Sequence, residues 1–142
     1  MKKILIAIIL AILIVPVFGT VVYGADDNSS KSEYNLEKDL QRIEKFVLQR
    51  IDAAINDEHS IYVKLQSDLA NANNDEEILI LNNEYTEELD RIIDQLLYTT
   101  EKKVDQLIAK YEKHNISVEK YWISVTIGGR DILVDPCRVR PN

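Results

Sequence analysis

Cysteine is the scarcest of the residues that could hold this fold together. The chain of 142 residues has a single one, Cys137. One cysteine excludes a disulfide within the chain, so the fold must be stabilised by packing. We therefore expect Cys137 to be a small packed hydrophobe, and the alternative is a bridge to a second molecule.

Glycine and proline are also few, with four and three residues respectively. Their scarcity favours long uninterrupted helices, because both residues destabilise a helix interior. The one glycine pair, Gly128-Gly129, predicts a hairpin turn and not a phosphate-binding loop.

The motifs of common catalytic and metal sites are missing. The sequence has no Gly-x-Ser-x-Gly elbow, no His-Glu-x-x-His and no cysteine–histidine zinc spacing. A di-iron helical bundle needs Glu-x-x-His, but Asn56 stands three residues before His59 and Tyr111 three before His114. We expect no enzyme activity, no cofactor and no metal. The alternative is an envelope metal-binding protein or enzyme that uses Glu58 and His59.

The first 25 residues differ in character from the rest. Lys2 and Lys3 precede the apolar run Ile4–Val15, and small residues lie just ahead of Asp26. This layout predicts a secretory signal peptide over residues 1–25 and a secreted or extracytoplasmic protein. The alternative is an uncleaved membrane anchor, which would make the protein a membrane-tethered stalk.

Basic residues are outnumbered by acidic ones, 17 to 24, so the net charge is −7. Removal of residues 1–25 leaves 15 basic and 24 acidic residues, a net charge of −9. Such a chain is repelled by nucleic acid and by anionic lipid. We therefore expect a protein partner or a second copy of the chain, no nucleic acid, and membrane association only through a retained N-terminal segment.

Apolar residues recur every three or four positions over two long stretches, Leu36–Leu69 and Ile78–His114. Both stretches repeat every eleven residues, which is typical of a straight or slightly right-handed helix pair. The asparagine-rich turn between them predicts an antiparallel hairpin over residues 33–117. Residues 26–32 are expected to form a flexible linker, with Ser32 as the N-cap of the first helix.

Short motifs mark both ends of the second helix. Asn74 is a candidate N-cap, and Glu77 is placed to reach back to the backbone amide of Asn74. Asn115 is expected to end the helix in the left-handed conformation, with Ile116 folded against Tyr111.

Folding the chain back at the turn pairs residues across the two helices. Tyr62 should meet Tyr85, and Glu58 should lie at the rim beside Arg91. The second helix also carries a surplus apolar stripe that either the C-terminal tail or another subunit must cover. Its candidate partner-binding residues are Ile93, Leu97 and Ile108.

Residues 118–142 change to the period of a strand. The segment 121–127 alternates, Gly128-Gly129 turns and 130–135 returns, which predicts a β-hairpin packed on the open end of the helices. Tyr121, Trp122 and Arg130 are candidates for an exposed partner-binding patch on this hairpin. The alternative is that they anchor the hairpin to the helices.

The run 127–136, Ile-Gly-Gly-Arg-Asp-Ile-Leu-Val-Asp-Pro, resembles a tail of small exported bacterial proteins of unassigned function. In those proteins a helix and a strand containing Tyr and Trp precede the run. The resemblance covers about the last 30 residues. It implies this fold and an extracytoplasmic setting, and it brings no site residues. This chain has Cys137 where a leucine is expected.

The sequence therefore predicts a mainly α fold: a long antiparallel, coiled-coil-like two-helix hairpin with a small C-terminal β-hairpin. The implied function is that of an acidic, exported, non-enzymatic interaction or structural module of the bacterial envelope or secretome, with self-association as one mode of action.

Overall fold

A computed structural model describes the backbone of residues 27–139 and the side chains of residues 35–138. The predicted signal peptide or anchor, residues 1–25, lies outside the described residues. Within the described residues, two helices are followed by four short strands. They are α1 (Asp27–Leu69), α2 (Asp75–Glu112), β1 (Val118–Lys120), β2 (Ile123–Ile127), β3 (Arg130–Val134) and β4 (Cys137–Val139).

The two helices pack against each other along their length, which confirms the predicted helical hairpin. The first helix begins earlier than expected, because it includes residues 27–32 that we assigned to a flexible linker. Ser32 therefore lies inside α1 and not at its N-cap. Residues 27–32 contain neither glycine nor proline, so nothing in the backbone stops the helix there.

The ends of α2 are closed by the predicted residues. The Asn74 side chain accepts a hydrogen bond from the backbone N–H of Glu77 at 2.9 Å. The Glu77 carboxylate reaches back one residue further than expected and accepts from the N–H of Asn73 at 2.9 Å. At the other end Asn115 has φ 56°, and the N–H of Ile116 donates to the carbonyl of Tyr111 at 3.1 Å. That bond is the 6→1 hydrogen bond of a Schellman motif.

Strands β1–β4 and β2–β3 are parts of one antiparallel ribbon. Val118 pairs with Val139 and Ile123 with Val134, so both strand pairs share one register around the Gly128-Gly129 turn. The ribbon is interrupted at Pro136, which accepts from the N–H of Tyr121 at 2.9 Å but has no N–H to return the bond. The predicted hairpin is confirmed, and strand pairing resumes beyond Pro136 at Cys137.

The ribbon turns over where it is interrupted. Val118 and Cys137 are buried on one side of the interruption, and Ile127 and Val134 on the other. The ribbon has two arms, residues 118–127 and residues 130–139. In each arm the buried residues before and after the interruption are an odd number of positions apart, so they lie on opposite faces of the strand. The arms also exchange sides, since β1 and β3 contact α2 while β2 and β4 contact α1. The strong twist of two-stranded ribbons accounts for this arrangement.

One hydrophobic core joins the helices to the ribbon. Lys120 at the start of the ribbon pairs with Asp105 of α2 at 2.7 Å, and the Gly128 turn lies against Leu89. The ribbon therefore runs from the open end of the helical hairpin to the middle of α2. The buried apolar residues are Leu36, Ile43, Val47, Ile51, Ala54, Leu65, Leu89, Ile93, Leu96, Val104, Leu107, Tyr111, Val118, Ile127, Val134 and Cys137.

Candidate functional site

The surplus apolar stripe of α2 belongs to the core. Ile93 is 7% exposed and shares one hydrophobic cluster with Ile127 and Val134 of the ribbon, and Leu97 and Ile108 pack half-buried against that cluster. Of the two covers considered, a second subunit or the C-terminal tail, the tail is the one observed. In this conformation the three residues belong to or pack against the core that includes the ribbon, and a partner-binding role for them stays a prediction.

The candidate patch on the ribbon is not brought together. Trp122 is 64% exposed at the base of β2, whereas Arg130 stands beside the turn and pairs with Asp90 of α2. Tyr121 is half-buried, with the Arg138 guanidinium 5.8 Å from its ring centre. Tyr121 and Arg130 contact their own chain, and Trp122 alone projects into solvent.

The candidate metal or catalytic pair, Glu58 and His59, is also separated. Half-buried Glu58 accepts a hydrogen bond from the Tyr85 hydroxyl at 2.8 Å, while His59 is exposed on α1. Arg91, the expected neighbour of Glu58, pairs with Glu88 on its own helix. Within the described part of the chain, no group of three or more histidine, cysteine or acidic side chains could hold a metal ion.

Cys137 is a packed residue. Its side chain is 8% exposed, and burial raises the pKa of the thiol to about 11. A thiol with such a pKa is almost fully protonated at neutral pH and is a poor nucleophile. This environment favours the packed-hydrophobe interpretation over the intermolecular bridge.

The closed half of the helical hairpin, beyond the ribbon turn, carries a group of exposed apolar side chains. Tyr62 contacts Tyr85 edge to face, with ring centres 6.3 Å apart, as the sequence predicts. Tyr62 nevertheless stays 46% exposed, and Leu79 is 62% exposed. We call the following five exposed residues, which lie in this half of the molecule but not all on one face, the closed-end surface: Tyr62, Val63, Ile78, Leu79 and Ile80.

A groove lies between the two helices in the same half of the molecule. It has a volume of about 210 Å³. Ile61, Leu65, Leu81 and Tyr85 supply its apolar side chains, and its charged residues are Lys64, Asp68, Glu84 and Glu88. The closed-end groove, as we call it, is thus apolar with a mainly acidic rim.

The closed half also carries the excess of negative charge in the molecule. Residues 57–91 include ten acidic and two basic residues, whereas the whole chain has a net charge of −7. The remaining residues are therefore close to electrical balance. A concentrated field of one sign selects partners of the opposite sign and repels those of the same sign.

A run of apolar residues in the sequence indicates the exposed side chains of α2, although the helical period alone does not. Residues 78–81 are four consecutive apolar residues, Ile-Leu-Ile-Leu. Successive residues of a helix point about 100° apart, so four in a row cannot all face one seam. Two of them, Leu79 and Ile80, must therefore face away from the partner helix.

Comparison of the chain with protein families, with curated proteins and with solved structures finds no significant match. The resemblance of residues 127–136 to tails of small exported bacterial proteins stays a prediction. Neither helix, in the part that the structure describes, is both long and apolar enough to cross a membrane.

Proposed function

We propose that this chain is an exported, non-enzymatic helical module that acts by binding another protein. The observation that carries this proposal is the closed-end surface. Leu79 and Ile80 of α2 and Val63 of α1 are each at least half exposed, whereas the surplus apolar stripe of α2 is part of the core. Large apolar side chains exposed in one part of a molecule favour an interaction role there, because their exposure costs solubility without serving the fold.

The rest of the architecture supports a binding role. The ribbon covers α2 as far as Leu89 and leaves the closed half as a bare pair of helices. An exposed helix pair with an apolar groove is a surface that other helices and strands use for docking. The N-terminal signal pattern supports export, and mass spectrometry of the secreted protein would find a mature N-terminus near residue 26.

Charge argues that the partner at this surface is a different protein. Two copies docked through their closed ends would bring two sets of ten acidic and two basic residues together. Like charges facing each other across an interface oppose association. Self-association through the closed end is therefore disfavoured, and sedimentation of the exported protein should find a monomer.

Site-specific photocrosslinking tests the proposal. A benzophenone amino acid replaces Leu79 in one variant and Leu133 in a second, since these leucines have nearly equal exposure, 62% and 60%, and belong to α2 and β3 respectively. We expect adducts with another protein from the Leu79 position in living cells, and few from Leu133. Equal yields at the two positions, or none at either, would contradict the proposal. Adducts between two copies of the chain would point to self-association instead.

A further inference from the structure

The closed-end groove is open to solvent on the side of the helices that the ribbon leaves free. Asp90 pairs with Arg130 of the ribbon, whereas Glu88 lines the groove. Residues two positions apart along an α-helix point about 200° apart around its axis. Glu88 and Asp90 therefore point to opposite sides of α2. A partner could enter the groove without displacing the ribbon.

We propose that the closed-end groove binds a basic amphipathic segment of a partner protein, which inserts an apolar side chain between the helices and lays lysine or arginine side chains on the acidic rim. This inference rests on the proposed function and names the chemical class of the partner.

The size and lining of the groove fit one large apolar side chain. Its volume is about 210 Å³, and Ile61, Leu65 and Leu81 line it. A protein cavity of about 150 Å³ accommodates benzene. The groove is open on one side, so a leucine or phenylalanine side chain placed in it would contact apolar residues of both helices and stay partly exposed to solvent. Burial of such a side chain supplies affinity, whereas the charges around it supply selectivity.

The charges around the groove select a basic segment. Asp68, Glu84 and Glu88 line it, against the single cation Lys64. Asp68 is paired with Lys64 at 2.6 Å and Glu88 with Arg91, so Glu84 is the one acid of the lining without a salt bridge among the described residues. Glu76, Glu77 and Glu87 of α2 add to the same negative field, since residues 57–91 hold ten acidic residues in all. Cationic side chains placed along this rim gain Coulomb energy, and anionic ones lose it.

The same field disfavours other occupants of the groove. A second copy of this chain would present an equally acidic closed half. An anionic lipid surface would be repelled in the same way. A zwitterionic membrane would not be repelled, so it is kept as an outcome of the test.

Synthetic peptides provide the probe, because the natural partner is unidentified. The first is a fluorescent leucine–lysine peptide of about 14 residues, long enough to form an amphipathic helix on a surface. A leucine–glutamate peptide of the same pattern reverses its charge. A scrambled leucine–lysine peptide keeps the charge but has no apolar face. Binding to the exported protein is measured by fluorescence anisotropy at about 50 and about 300 mM sodium chloride.

Two variants of equal net charge separate the groove from a general attraction between opposite charges. Glu84→Gln/Glu88→Gln neutralises two acids of the groove, and Glu37→Gln/Glu112→Gln neutralises two exposed acids toward the open end. We expect the groove variant to bind the leucine–lysine peptide about fivefold more weakly, and the control variant to stay within about twofold. Affinity should fall at the higher salt, the leucine–glutamate peptide should not bind, and the scrambled peptide should bind about tenfold more weakly.

Equal weakening in the two variants, or equal binding of the patterned and scrambled peptides, would overturn the inference. Binding of the protein to phosphatidylcholine vesicles in preference to the peptide would overturn it as well. The two proposals fail separately. Crosslinks from Leu79 without groove-dependent peptide binding would leave the binding function standing and exclude a basic partner, whereas absence of crosslinks would remove the function itself.

Discussion

The Tyr85 hydroxyl donates a hydrogen bond to the Glu58 carboxylate at 2.8 Å, and this bond joins α2 to α1 directly beneath the turn of the ribbon. A methyl group on Gly128 would lie 3.3 Å from the same hydroxyl oxygen. Both helices and the ribbon therefore meet at one point. Beyond that point, toward the closed end, the helices are held together by the seam alone.

Tyr85→Phe should destabilise the fold by about 1–2 kcal/mol, because it leaves the half-buried Glu58 carboxylate without its donor. Urea denaturation followed by circular dichroism measures the change. Tyr62→Phe is the matched control, since it removes a hydroxyl from the more exposed ring of the same aromatic pair. We expect the control to change stability by less than about 0.5 kcal/mol. Equal effects would mean that the hydrogen bond does not stabilise the helix pair.

Alkaline pH should weaken the same contact. Burial, reinforced by the hydrogen bond to Glu58, raises the pKa of Tyr85 from its ordinary 10.0 to about 12. A raised phenol pKa means that the fold favours the protonated ring, so this contribution to stability is complete below pH 10.0 and is lost as the pH rises toward about 12. Tyr85→Phe should flatten the loss of stability over that range. It should also remove one late-ionising phenol from an ultraviolet titration, and a titration identical to that of the wild type would contradict the assignment.

The two glycines of the turn should respond differently to alanine. Both have positive φ, 57° at Gly128 and 76° at Gly129, so each substitution carries the cost of a left-handed residue, about 1–2 kcal/mol. At Gly128 the added methyl would also lie 2.7 Å from Leu89, which is 2% exposed and cannot move aside freely. At Gly129 it would meet nothing within 4 Å.

Gly128→Ala should therefore be less stable than Gly129→Ala by about 1–3 kcal/mol, which is the usual cost of overpacking a core. Thermal unfolding of the two variants side by side gives the difference directly. Equal stabilities would show that the ribbon turn does not press on Leu89.

The parts of this fold that sequence alone predicts are those set by local chemistry. The helix pair follows from apolar spacing, the end of α2 from Asn115, and the hairpin turn from Gly128 and Gly129. Each of these depends on residues close together in the chain or on a single period. The N-cap at Asn74 belongs to the same class.

The parts that sequence did not predict depend on how separate elements dock. Where the ribbon turn lands on α2 is set by the match of Gly128 to Leu89, which no periodic pattern encodes. The sequence predicts a returning strand over residues 130–135, but the missing N–H of Pro136 interrupts the ribbon without preventing strand pairing from resuming at Cys137. The sequence predicts Arg91 as the neighbour of Glu58, but in the packed structure Glu58 accepts from Tyr85 and Arg91 pairs with Glu88 of its own helix.

Asp39 should hold the open end of the helical hairpin together above acidic pH. It accepts hydrogen bonds from Lys110 at 2.5 Å and from the Tyr111 hydroxyl at 2.9 Å. The bond from Lys110 is the main cause that lowers the pKa of Asp39 below its ordinary 3.8. A lowered carboxyl pKa contributes stability above pH 3.8, and that contribution is lost as the pH falls through the lowered value.

Asp39→Asn should accordingly cost about 1 kcal/mol near neutral pH, and the gap from the wild type should narrow in acid. Denaturation at a series of pH values measures both effects. Asp52→Asn, at an exposed position on the same helix, controls for the loss of one negative charge. A gap that stays constant as the pH falls below 3.8 would contradict the ion pair.

Cys137 should be inert in the native protein. Because burial raises the pKa of its thiol from 9.0 to about 11, the reactive thiolate is about a hundredfold rarer at neutral pH than at an exposed cysteine. Iodoacetamide should therefore label Cys137 slowly in buffer and rapidly in urea, and the exported protein should run as a monomer without reductant. A Ser124→Cys variant in a Cys137→Ala background places the same thiol on the exposed face of β2 and should label at once. Equal labelling rates in buffer, or a disulfide-linked dimer of the wild type, would show that the ribbon lifts from the helices often enough to expose this residue.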